Sequence, residues 1–96
     1  MELSAKRNYY VTFKRILETV HASGHKLTRQ REIVIQMICK LKIIDDVEQI
    51  WLRLKDEFDI ALATIYSTIK LLCSLGLMGI RYQTDTRKRI YELANR

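Results

Sequence analysis

Several residues in this chain have the types and spacing for chemistry. Asp45, Asp46 and Glu48 stand close enough to form a carboxylate site, and His21 and His25 flank a Ser-Gly break. Arg81, Arg87, Lys88 and Arg89 crowd one polar segment, "RYQTDTRKR". The carboxylates have no nucleophile, glycine-rich phosphate loop or metal motif beside them, and helix capping explains them with fewer parts. The histidines lack carboxylate or cysteine partners at ligand spacing, so they read as capping or surface side chains. His25 does lie beside Lys26, which leaves a weak phosphate contact as a further reading. Cys39 and Cys73 stand singly in apolar helical patterns, as small buried hydrophobes do. Neither catalysis nor a cofactor is expected, and the cationic segment is left as the feature with a function to find.

Its charge fits a polyanion partner. Seventeen Lys or Arg against 11 Asp or Glu give the 96 residues a net charge of +6. Eight cations face three anions over residues 1–40, three face six over residues 41–60, and six face two over residues 61–96. The positive field therefore lies on both sides of an acidic middle. Apolar residues make up 48% of the chain, a folded composition, and the length suits a single domain over residues 1–96. "MELSAKRNYY" holds no secretory core and no apolar run spans a bilayer, so a cytoplasmic location without a membrane partner is expected.

The elements that must position these residues follow from periodicity. A first helix is expected over about 4–22, with Tyr9 or Tyr10, Phe13, Ile16, Leu17 and Val20 on its apolar side. Ser23-Gly24 breaks it, and Thr28 caps a second helix over about 29–41 that buries Val34, Met37, Ile38 and Leu41. After a connector, "KII", Asp45 or Asp46 caps a third helix over about 46–58, with Val47, Ile50, Trp51, Leu54 and Phe58 facing the core. In "ALATIYSTIKLLCSLGL", Leu62, Ile65, Ile69 and Leu72 form the buried seam of a fourth helix over about 61–75. Thr64, Ser67, Lys70 and Ser74 fall mostly on its other side, and Gly76 ends it. The period then drops towards two, and "MGIRYQ" and "RIYELA" predict a hairpin over about 78–94. The fold expected is mainly α with a small β-hairpin, a winged helix-turn-helix whose fourth helix enters the DNA major groove.

Particular stretches add to that pattern. "SGHKLTRQREIVIQMI", "VEQIWLRL", "LATIYSTIKLLCSLGL" and "YEL", in this order and spacing, resemble the DNA-binding half of the ferric uptake regulator family. The resemblance spans roughly residues 16–93 and implies a winged helix that binds double-stranded DNA as part of a dimer. It matches Lys26 to a lysine near the minor groove or phosphates and Arg31 to a basic residue at the backbone. It matches Thr64 and Tyr66 to recognition-helix positions, with Lys70 one turn further on. Two departures stand out. Ser67 replaces the usual arginine, exchanging a bidentate guanine contact for a single hydroxyl. Ile44 stands where relatives carry a metal-binding histidine, although Glu92 of "YEL" is kept. The family's second domain, which holds the other ligands and the dimer interface, begins after that motif, near where this sequence ends.

The resemblance therefore implies a sequence-specific or semi-specific DNA-binding transcription regulator that does not sense metal with these residues alone. Arg81, Arg87, Lys88 and Arg89 on the wing are expected at phosphates or the minor groove, the alternative being a solvated turn. Tyr66 either touches DNA or packs at the edge of its seam. Tyr9, Tyr10 and Phe13 either pair with a second copy, giving a homodimer, or pack locally. Rival readings are a protein adaptor with an acidic partner and the excised DNA-binding half of a longer metal-responsive regulator.

Overall fold

The computed structural model describes residues 2–94, with side chains from residue 9 onward. Four helices, α1 (Glu2–Ala22), α2 (Arg29–Leu41), α3 (Val47–Phe58) and α4 (Leu62–Ser74), accompany three strands, β1 (Ile43–Ile44), β2 (Met78–Tyr82) and β3 (Arg89–Leu93). The strands form one antiparallel sheet in the order β1-β3-β2. Among the described residues, no helix is long and apolar enough to cross a membrane.

Local chemistry sets the ends of the helices. The Thr28 hydroxyl accepts from the Arg31 backbone N–H at 3.1 Å, and the Asp46 carboxylate accepts from that of Glu48 at 3.1 Å. Each cap satisfies a donor that its helix leaves unpaired. The end of α4 is a Schellman turn: the Leu77 N–H donates to the Leu72 carbonyl, and the Gly76 N–H to that of Cys73. Gly76 sits at φ +75°, a conformation that costs glycine little.

The core lies between the helices and the inner face of the sheet. Val20, Val34, Ile35, Ile38, Ile65 and Leu72 are fully enclosed, and Ile44, Met78 and Tyr91 close it from the sheet. Two side chains expected inside lie towards the surface. Leu41 is 37% exposed because α2 ends there and Lys42 turns the chain at φ 65°; Ile35 takes the interior place instead. Phe58, 36% exposed, ends α3 in the same way, while Ile60 is buried just beyond it. There the Trp51 indole, itself only half-buried, donates to the Ile60 carbonyl at 3.0 Å and fixes the α3–α4 turn.

The connector "KII" is more than a linker. Ile43 and Ile44 pair with Glu92 and Tyr91, making β1 a third strand beside the hairpin. In α1, Tyr9 and Phe13 pack against the core with their rings stacked 6.2 Å apart, and Lys40 of α2 lies over Tyr9. Of the three aromatics proposed for self-association, Tyr10 alone is largely exposed. Tyr9 and Phe13 are thus partly used within the chain itself.

Candidate nucleic-acid interface

The buried seam of α4 determines what its outer face displays. With Ile65, Thr68, Ile69 and Leu72 turned inward, helical spacing puts Ala63, Tyr66, Ser67, Lys70 and Ser74 outward, and all five are exposed. Tyr66 is 45% exposed, so part of its side chain is available beyond the seam. Thr64 lies off to the flank and is half-buried. Its carbonyl accepts from the Ser67 hydroxyl at 3.1 Å and from the Thr68 hydroxyl at 2.7 Å. Ser67 therefore spends its one proton on its own helix, leaving oxygen lone pairs outward. Ser74 extends the face as its spacing predicts, and Ala63, four residues before Ser67, adds to it although it went unmarked in the sequence.

The start of α4 differs from the starts of its neighbours. Its N-cap is Ala61, which supplies no side-chain bond, and its first turn holds no acid. By contrast, Glu32 lies in the first turn of α2 and Glu48 in that of α3. The positive end of the α4 dipole is thus left without a carboxylate, which suits an approaching phosphate.

The wing is built from its own backbone. The Gln83 N–H donates to the Lys88 carbonyl at 2.9 Å, and the Arg87 N–H to the Gln83 carbonyl at 2.8 Å. The Thr86 hydroxyl donates to Gln83 Oε1 at 3.1 Å and accepts from the Lys88 N–H at 3.3 Å. Arg87 occupies the left-handed region at φ 56° within this turn. Register then separates the four cations. Arg89 pairs across with Tyr82, whereas Arg81 pairs with Ile90, so the two arginines project from opposite faces. Interaction with Tyr91, and with Tyr82 beside it, holds the Arg89 guanidinium's pKa above the ordinary value. Arg81 instead reaches Glu92, Nη2 to Oε2 at 3.8 Å, on the far face.

Recognition helix and wing meet across an open groove of about 300 Å³. Tyr66 lines it from α4, Lys88, Arg89 and Tyr91 from the wing side, and Asp45, Asp46 and Glu48 from the start of α3. Tyr66, Lys88 and Arg89 are therefore brought together, Ser67 and Lys70 continue the same helix face, and Arg81 is turned away from them. Elsewhere, Lys26 is exposed in the α1–α2 turn, and Arg31 Nη1 donates to its carbonyl at 2.9 Å. Half-buried Arg31 thus braces the turn that presents Lys26.

A helix-turn-helix pair, a cationic two-stranded wing and a short third strand define a winged helix-turn-helix domain. The ferric uptake regulator family model matches residues 22–96, and the chain belongs to that family. Solved structures share the fold. One from Streptococcus pyogenes, described as the structural basis for peroxide sensing and gene regulation by PerR, has a TM-score of 0.71 at 19% identity, covering 85% of this chain and 56% of that one. A zinc-bound manganese uptake regulator gives 0.67 at 28% identity, covering 81% of this chain and 59% of that one. The Helicobacter pylori ferric uptake regulator Fur, described as having three functional metal binding sites, gives 0.72 at 17% identity, covering 92% and 59%. The chain thus spans a little over half the length of these proteins. No curated protein sequence matches it.

Family membership raises the question of a metal, and the donor set here does not fit one. Glu92 is engaged by Arg81, and its neighbours across the strands are Ile43 and Gly79. Ile44, at the position of the family histidine, points into the core at 2% exposure. Among the described residues, no group of three His, Cys, Asp or Glu side chains is arranged to hold a metal ion. A carboxylate held by a guanidinium, with an isoleucine and a glycine beside it, lacks the further ligands a divalent ion requires.

Proposed function

We propose that this domain binds double-stranded DNA as the reading head of a transcription regulator. In this reading α4 lies in the major groove and offers Tyr66, Ser67 and Lys70, with Thr64 at the flank. Arg87, Lys88 and Arg89 of the wing, and Lys26 braced by Arg31, hold the backbone. Arg81 contributes to the local positive field rather than to a direct contact, since it pairs with Glu92. Phosphate contacts of this kind supply salt-dependent affinity and register, while base-edge contacts supply sequence choice. Without an arginine after Tyr66, the helix selects its sequence weakly, and the domain is semi-specific. Metal sensing is not assigned to these residues, and dimerisation belongs to a partner surface other than the α1 aromatics.

The observation that supports this best is the groove that Tyr66 of α4 lines together with Lys88 and Arg89 of the wing, its acidic wall at Asp45, Asp46 and Glu48 lying at the start of α3. Titration with nonspecific duplex at two salt concentrations tests it. Binding weakens in Lys70→Ala and in Arg87→Ala/Arg89→Ala, and each lost phosphate contact lowers the log–log salt slope by about 0.9. Unchanged binding by both variants rules out this surface. Binding to an acidic protein in place of DNA supports the adaptor reading.

A further inference from the structure

We infer that His25 makes a proton-dependent contact to a DNA phosphate from the turn between α1 and α2, an inference that rests on the DNA-binding reading above. Ser23 Oγ lies 2.7 Å from the Val20 carbonyl oxygen and 2.9 Å from His25 Nδ1. A hydroxyl has one proton and a carbonyl cannot donate, so Ser23 donates to Val20 and accepts from the imidazole. This network assigns the hydrogen of the neutral ring to Nδ1 and leaves Nε2 as a bare acceptor.

That assignment makes the ring a switch for an anion. A phosphate oxygen is also an acceptor, so neutral His25 offers it nothing at Nε2. Protonation converts Nε2 into a charged donor, and Nδ1 keeps its bond to Ser23. The ring therefore keeps the same anchor in both charge states, and only the protonated form can make a charge-assisted bond to an anion. Histidine is the side chain whose ordinary titration falls between pH 5 and 8.

The surroundings favour an anion. His21, Gly24, His25, Lys26 and Leu27 line a hollow of about 400 Å³. Its other charged or titratable side chains are His21, from the last turn of α1, and Lys26. No carboxylate lines it among the described residues. Arg29 and Arg31 begin α2 next to the turn, with Glu32 as the acid of that first turn, and Glu18 lies on α1 one turn before His21. The corner thus joins the C-terminal end of α1, which favours a charged imidazolium, to the cation-bearing start of α2. In the DNA reading, the phosphate is the one that Lys26 meets.

The test is duplex binding at pH 8.0 and pH 5.5, at fixed ionic strength and with a chelator present, for the native chain and three variants. The native chain gains about three- to tenfold in affinity on going to the lower pH, the size of one added charge-assisted contact. His25→Gln loses most of that gain, His25→Lys binds at pH 8.0 about as the native chain does at pH 5.5, and His21→Gln retains the gain. Ring nitrogen shifts by NMR place the neutral His25 hydrogen on Nδ1. A full gain in His25→Gln, loss of the gain in His21→Gln, or a hydrogen on Nε2 overturns the inference. Binding by the native chain that is equal at both pH values overturns it and leaves the DNA reading intact. No binding at either pH overturns both.

Discussion

The recognition helix and the wing face one groove but are built in contrasting ways. Along α4 the outward face carries a single cation, Lys70, over a seam in which Ile65, Ile69 and Leu72 are at most 1% exposed. The wing carries Arg87, Lys88 and Arg89 in succession, all exposed, on a turn held by its own backbone and by Thr86. A surface that chooses between bases must be held in one geometry. A surface that attracts phosphates needs charge and tolerates slack. On the proposed DNA-binding reading, the fold separates choosing from holding, and the core is spent on the element that would choose.

The largest way to break this contrast is to loosen the seam. Ile65→Ala leaves a cavity under α4 and lowers stability by about 2–5 kcal/mol, read from the denaturant midpoint. An equal truncation on the wing, Arg87→Ala, leaves the midpoint within about 0.5 kcal/mol, as surface changes generally do. Next in size is the charge itself. Arg87→Ala/Lys88→Ala/Arg89→Ala lowers the salt slope of DNA binding by up to about 2.7, compared with about 0.9 for Lys70→Ala.

Core and surface also differ in their response to pH. Burial pushes the Cys39 thiol from 9.0 up to about 11. The unfolded chain therefore releases this proton first, and the stability present below pH 9 is lost as the pH climbs towards 11. Melting temperature falls over that window, less steeply in Cys39→Ala. Tyr9, also raised by burial, adds to the fall at the upper end. The smallest expected effect restores the missing arginine. Ser67→Arg leaves stability nearly unchanged and sharpens preference for guanine, by about 1–3 kcal/mol at one base pair.

Periodicity made the α4 seam and the Gly76 stop legible, because a helix of 13 residues repeats its pattern several times. A strand of two residues repeats nothing, so β1 could not be seen in "KII"; it exists through its pairing with Glu92 and Tyr91. The same dependence on register hid the difference between Arg81 and Arg89. Both lie in one charged run, and only the cross-strand partners show that they face opposite ways. Helix ends misled for a related reason: Leu41 and Phe58 fit their helical patterns, yet each is the last residue of its helix and lies towards the surface. The half-buried place of Thr64 follows from the angle between it and the seam, which depends on how far round the helix the core extends. That Tyr9 and Phe13 pack within the chain depended on where α2 crosses α1.

The most direct test of this division of labour is duplex binding over a panel of sequences and salt concentrations, comparing the triple wing variant with Ser67→Arg. The account predicts that the wing variant lowers affinity and salt slope by the same amount on every sequence, while Ser67→Arg reorders the sequences. A wing variant that reorders sequences, or a Ser67→Arg protein that binds all of them in the native order, contradicts it.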